Sequence, residues 1–334
     1  MTTLTVGIPV FNEIDHIEKT FGNLVDLASK IDYAIEVLIV DNFSTDGTRA
    51  YLESINNKFV NLHLRIIFND KNEGFTHSCD TLMKEAVGEY LWIIGGHDLI
   101  NSGGFASIKS VLDFSPDYVI CNARIRDENS NVIINESLWG EIKSHAFSNL
   151  KDFFEIMGGP CQAVSCNIYR TSLIKRYTDG QQVTHLWGFI ERIMDMLLDN
   201  QTSLRIRYID AQLVEMLIET DGWQVQEKFG PFRTALEISE LYNIKLNAEP
   251  KLIKMAAPFR DKLSVIRIIV IAKAQGLLVD MELLKRLSIA YKGSIQFWVV
   301  GIPILLSPQL ISRSLIHTRG MVHVFRRIFK IKTY

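Results

Sequence analysis

The sequence predicts an α/β protein with a mostly parallel sheet and flanking helices, followed by a helical C-terminal region. Three observations predict it. From residue 4 to residue 94, short apolar runs alternate with stretches of helical periodicity, the pattern of parallel strands joined by crossover helices. Each apolar run stops at a cluster of polar turn and cap formers. From about Phe232 onward the spacing turns helical.

The elements follow in order. Leu4–Val10 is a short apolar run ended by Phe11-Asn12-Glu13 and reads as a buried strand. Ile14, Ile17, Phe21, Leu24, Val25 and Ala28 repeat at helical spacing over 14–30. Glu36–Val40 is a second buried strand, stopped by Asp41-Asn-Phe-Ser-Thr-Asp-Gly47, and a helix follows over about 48–56. Leu62–Phe68 is a third strand, then Asn69–Gly74, then a helix to about Val87. Glu89–Ile94 is a fourth strand, ending at Gly95-Gly-His-Asp98. In open α/β sheets the ligand sits beyond the carboxyl ends of the strands, so the loops at 11–13, 41–47, 69–74 and 95–98 are expected to converge on one site. The second half is less regular: strands are expected at 117–122, 132–135, 205–208 and 213–218, and a helix at 150–157. A boundary near 225–232 gives two domains, 1–228 and 229–334.

The formal net charge of −2 hides a split. From Leu283 to the end there is no Asp or Glu but nine Lys and Arg, against 27 basic and 38 acidic side chains before it. A purely basic tail on an acidic body points to an anionic partner. Ile295–Ile311 is largely apolar but interrupted by Pro303 and Pro308. It therefore suits the membrane interface better than a span, which needs about 20 apolar residues. Residues 313–332 interleave Leu, Ile, Val, Phe and Met with basic residues only, and read as a basic amphipathic helix on an anionic membrane surface; the competing reading is a core helix with a solvated basic face. With 47% hydrophobic residues, disorder is excluded. Four cysteines without a C-x-x-C pair are no disulfide framework, which makes a reducing cytosol the default, and no signal peptide is expected. The acidic body argues against a nucleic-acid partner. The helical region 232–290 can pair with a copy of itself as a homo-oligomer.

Val6-Gly-Ile-Pro-Val-Phe-Asn-Glu13, Val37-Leu-Ile-Val-Asp-Asn-Phe-Ser-Thr-Asp-Gly-Thr48, and Asn72-Glu-Gly74 with Gly88-Glu-Tyr90 resemble, in order and spacing, the nucleotide-sugar domain of family 2 glycosyltransferases, the GT-A fold. The likeness covers about residues 4–100 strongly and 100–220 loosely. It implies that Asp41 accepts the ring N–H of a uracil or similar base, which favours a UDP-sugar donor. It implies too that Glu13 contacts the ribose and that backbone around Pro9, Phe11 and Asn12 faces the nucleotide. Asn72 and Gly74 continue the nucleotide loop, and Asp80 faces the site. Asp46 reads as a turn or cap residue, and Cys79 as a helix-buried thiol where the family often carries Arg.

The resemblance also implies a Mn²⁺ or Mg²⁺ cofactor, held by Asp-x-Asp at the end of the fourth strand. This chain reads Gly95-Gly96-His97-Asp98, so the metal set reduces to Asp98 and His97, with His97 as nitrogen ligand or as a donor to phosphate. The family's base is a Glu-Asp pair opening a helix. Here Glu191 matches the Glu, and Arg192 replaces the Asp and is assigned to the diphosphate; Asp195, one turn on, is the second candidate base. His185 and Trp187 would line the acceptor pocket. The implied function is inverting transfer to a lipid-diphosphate-linked or polysaccharide acceptor, in O-antigen or capsule synthesis. The enzyme would be cytoplasmic and peripheral on the inner face of the plasma membrane. A non-catalytic nucleotide-sugar binding or scaffold protein is the alternative.

Overall fold

The computed structural model describes residues 3–56, 63–178, 187–218, 230–256, 262–292 and 294–317. The chain divides into two compact units, Met1–Thr220 and Asp221–Tyr334.

The first unit is built on one sheet of ten strands: β1 (Leu4–Val10), β2 (Ile35–Asp41), β3 (His63–Phe68), β4 (Tyr90–Ile93), β5 (Leu99–Ile100), β6 (Tyr118–Asp127), β7 (Ile133–Asn135), β8 (His145–Phe147), β9 (Asn167–Arg170) and β10 (Ile206–Ile218). The order across the sheet is β3-β2-β1-β4-β9-β6-β10-β5, with β7 on β6 and β8 on β10. The helices α1 (Ile14–Ala28), α2 (Thr48–Ile55) and α3 (Phe75–Glu85) connect β1 to β4. These four strands pair in parallel, as the alternation of apolar runs and helical stretches predicts. Every residue of β1 and β2 is buried, which explains their continuous apolar runs. Both do carry one polar side chain near the amino end. Thr5 donates to Glu36 at 2.6 Å, and Arg65 and the Val87 N–H complete the carboxylate's partners. Gly88 fits under this corner because a Cβ there would lie 2.4 Å from the Thr5 nitrogen.

The other half of the sheet is mixed rather than parallel. β9 runs antiparallel to both β4 and β6, and β10 pairs in parallel with β6 but antiparallel to β5 and β8. The sequence suggested two strands at 205–208 and 213–218. They form one strand of 13 residues, because the polar Asp210-Ala-Gln212 stretch is a bulge, with register shifts on either side of Gln212. Helices α4 (Gly104–Leu112), α5 (Leu150–Met157), α6 (Thr171–Ile174) and α7 (Gly188–Asp199) flank the sheet.

The second unit is helical over Gly230–Lys245, Pro250–Met255, Lys262–Ala274, Met281–Ala290, Ile302–Leu306 and Gln309–His317, with a π-helical turn at Phe297–Gly301. Phe232, Leu236, Ile269, Leu287, Phe297 and Leu305 are among the residues of its core. Residues 295–306 run helical without a break, and the π-helical turn at Phe297–Gly301 lies directly before Pro303, whose missing N–H a regular α-helix could not pair; Pro308 precedes the next helix. The break in the apolar segment falls at Ser307 and Pro308. No helix among the described residues is long and apolar enough to cross a membrane. Most of the basic tail, residues 318–334, lies outside the described residues.

Candidate active site

The carboxyl ends of β2, β1 and β4 stand side by side, with Val10 and Asp41 register partners. The loops leaving them are tied to one another. The Asn12 N–H donates to Ser44 Oγ at 2.9 Å, and the Thr45 N–H returns a bond to Asn12 Oδ1 at 2.8 Å. The Glu13 N–H donates to Thr48 Oγ1. Asp46 accepts from the Ile14 and Thr48 N–H groups, so it anchors the starts of α1 and α2. Burial works against its charged form, but these hydrogen bonds, led by that of the Thr48 side chain, win and hold its carboxyl below the usual range.

Asn42 joins a third loop. It donates to Asn72 Oδ1 at 2.8 Å and accepts from Asn69 Nδ2 and the Glu73 N–H. Asn72 Oδ1 also accepts from the Gly74 N–H, and Gly74, with φ 89°, turns the chain into α3. Asn72 and Gly74 thus shape the loop, and the three loops form one hydrogen-bonded unit.

Asp41 is fully buried at the head of this unit. Its Oδ1 accepts from the Ser44 N–H at 3.2 Å. Its Oδ2 has no hydrogen-bond partner and lies 3.9 Å from an Arg49 guanidinium nitrogen. A buried carboxylate oxygen held open costs stability unless something binds it.

The loop after β4 brings Glu13, His97 and Asp98 together. A Cβ on Gly96 would lie 3.1 Å from Glu13 Cγ, so any larger residue there would push the Glu13 side chain aside. His97 Nδ1 pairs with Glu13 Oε1 at 3.6 Å, and the Glu13 carboxylate pushes the imidazole pKa up to about 9 against the opposing effect of burial. His16 stands edge-on to His97, ring centroids 6.0 Å apart, and pairs with Glu128 at 3.2 Å. Asp98 is buried. Burial pushes its carboxyl up, opposed by the His97 charge and by the Ser165 hydroxyl, which donates to Oδ2. Asp98 Oδ1 is buried with no well-formed hydrogen bond, although the Leu217 N–H faces the carboxyl.

Among the described residues no group of three His, Cys, Asp or Glu side chains is placed to hold a metal ion. The Glu13 carboxylate beside His97 favours the charged form of its imidazole, which donates and does not ligate. The open oxygen of Asp98 still fits a divalent cation whose other ligands are phosphate oxygens and water, the usual way Mg²⁺ is held.

Two residues expected at the nucleotide, Arg192 and Asp80, pair with each other. Arg192, on α7, grips Asp80, on α3, through Nε–Oδ1 at 3.2 Å and a terminal guanidinium nitrogen to Oδ2 at 3.1 Å. The pair fastens α7 to α3, together with the T-shaped Phe75–Phe189 contact at 6.0 Å. Glu191 and Asp195 are half-buried and one turn apart on α7, and both help keep Arg192 charged, after the larger effects of burial, which opposes it, and Asp80. Trp187 is buried at the start of α7, and His185 lies outside the described residues. Cys79 is fully buried and its thiol is pushed up by burial, as for a packing residue. Ser165 and Asn42 are the site residues that the sequence did not single out. Ser165 lies in the small-residue run before β9, and Asn42 directly follows Asp41.

The half-parallel sheet thus carries two buried carboxylates, Asp41 at the end of β2 and Asp98 after β4, on either side of β1 and beside one knot of polar loops. The chain belongs to glycosyl transferase family 2, whose model matches residues 5–178. Abequosyltransferase RfbV of Salmonella typhimurium is 29% identical over 119 residues, 35% of this chain and 34% of that protein. Glycosyltransferase AglE of Haloferax volcanii is 31% identical over 93 residues, 28% of this chain and 30% of that protein. The matched stretch thus spans about a third of the length of these curated relatives. Among solved structures, S. aureus TarS 1-349 in complex with UDP superposes with a TM-score of 0.60 at 16% identity, over 98% of this chain and 92% of that one. A mannosyltransferase of Pyrobaculum calidifontis, in complex with GDP-Man and Mn²⁺, gives 0.51 at 16% identity, over 98% and 88%. At such identities the likeness speaks for the fold.

Proposed function

We propose that the protein transfers a sugar with inversion from a nucleoside diphosphate donor, UDP favoured, to a glycan acceptor on a lipid diphosphate in bacterial surface-polysaccharide synthesis. The observation that carries this reading is the pair of buried carboxylates, Asp41 at the end of β2 and Asp98 after β4, each with one oxygen left without a well-formed hydrogen bond. The abequosyltransferase relative and the UDP-bound TarS structure support the class of reaction and donor.

Asp41 Oδ2 accepts the ring N–H of the base, and Glu13 with the backbone after Pro9 reaches the ribose. Asp98 would hold a divalent cation, which when bound supplies charge neutralisation at the leaving diphosphate. Glu191 takes the proton of the acceptor hydroxyl while that oxygen bonds to the anomeric carbon. The bond from that carbon to the diphosphate oxygen breaks, and its electron pair leaves with the nucleoside diphosphate. Asp195 is the second candidate for the proton.

Attachment to the inner face of a membrane belongs to the same proposal. Ile295, Val299, Leu306 and Leu310 are each at least 64% exposed, within the part of the chain that carries no acidic residue after Leu283. Exposed apolar side chains among cations suit an anionic lipid surface.

The test is transfer from a panel of nucleotide sugars to a bacterial lipid extract, with and without Mn²⁺. Wild type should turn over, and Glu191→Gln should lose roughly 10²–10⁴-fold in kcat while still binding donor. A wild type that binds a nucleotide sugar but transfers it to no extract would make this a binding protein instead.

A further inference from the structure

The loop after β2 contains a residue that the transferase reading leaves unused. Phe43 adopts φ 68°, in the left-handed region, where a bulky side chain is an outlier. Its neighbours explain how it is held there. Asn42 and Ser44 are both buried. The Asn42 N–H bonds to the Val10 carbonyl oxygen, its side chain is tied to the loop at 69–73, and Ser44 bonds both Asp41 and Asn12. With both flanks pinned, the backbone turns at Phe43 and leaves its ring 43% exposed. Phe11, immediately after the register partner of Asp41, is also 43% exposed. Two aromatic rings thus stand in solvent at the ends of adjacent strands, beside a buried carboxylate with an open oxygen. Local backbone strain that surrounding bonds enforce is a mark of a functional position. A planar heterocycle that stacks on a ring and gives an N–H to a carboxylate matches this set of groups.

We propose that Phe43 is a nucleobase-contacting residue, its ring with that of Phe11 gripping the base whose N–H Asp41 accepts. This rests on the nucleotide-sugar reading above. It adds that affinity for the donor depends on a strained aromatic position, so that binding and apo-protein stability oppose each other there.

Calorimetric titration of the full-length protein with UDP, GDP, CDP and ADP tests it, alongside thermal unfolding without ligand. Phe43→Gly removes the ring and suits the left-handed backbone. Its apo unfolding midpoint should rise, and its Kd for the nucleoside diphosphate that wild type prefers should weaken about tenfold, as expected for loss of one base–aromatic stack. Phe43→Leu, apolar but not aromatic, should weaken binding similarly, and Phe43→Tyr should stay within twofold of wild type. Binding by Phe43→Gly within twofold of wild type would overturn the assignment while leaving the transferase reading intact. A wild type that binds none of the four nucleotides would remove the transferase reading and this one together.

Discussion

Charge placement at single residues makes the most direct predictions. The His97 pKa stands at about 9 because Glu13 favours its charged form, against about 6.5 in an unfolded chain. The sign follows: the contact stabilises fully below about pH 6.5 and is lost as pH rises through about 9. Titration of His97 by NMR should show it protonated at pH 7.5, and Glu13→Gln should bring the midpoint down toward 6.5. An unchanged midpoint in the variant would remove Glu13 as the cause. Asp98 has the opposite logic, since burial favours its neutral form. Asp98→Asn should therefore keep or raise the thermal midpoint while abolishing transfer, because it removes a charge from a buried position and with it the open oxygen. A large loss of stability would mean that the carboxylate serves the fold.

At the scale of elements, α7 is held to α3 by a largely buried bidentate ion pair. Breaking such a pair from one side leaves a charge uncompensated, so Arg192→Ala should cost about 3–5 kcal/mol in chemical denaturation. Arg192→Met with Asp80→Leu should cost much less, since no charge is stranded. Equal losses would mean that packing, and not charge, dominates. The same scale shows what could be read from the chain. Strands β1, β2 and β4 announce themselves because both faces are buried and each ends in turn formers, and the half-buried edge strand β3 does so through Leu64, Ile66, Ile67 and Phe68. Strands β5, β8 and β9 do not, being two to four residues long, too short for a periodicity to register. Strand β10 reads as two strands because a bulge admits polar residues in mid-strand. In the site, Asp41, Glu13 and Asp98 are legible through the family motifs that they match at the ends of apolar runs. Ser165 could not, because its bond to Asp98 joins positions 67 residues apart, and no local pattern encodes such a contact. Arg192 and Asp80 are legible as charges but not as partners, for the same reason.

At the scale of the whole molecule, the basic C-terminal stretch predicts binding to anionic vesicles that weakens with salt. Screening at 0.5 M should release most of the protein, and neutral vesicles should hold less at any salt. Binding that ignores both lipid charge and salt would leave the exposed apolar residues as the sole contact. The long strand β10 has a consequence of another kind, for the order in which the chain comes together. Its partners β5, β6 and β8 precede it by stretches of chain as long as that between Val214 and Ile100. The strands β1 to β4 can find one another through short crossovers as soon as about 93 residues exist. The far side of the sheet must wait for residue 218 to leave the ribosome, with β6 lacking its parallel neighbour until then. During synthesis the nucleotide half would thus stand ready while the edge of β6 lies open, so this edge is where a chaperone would be needed and where premature chains would aggregate.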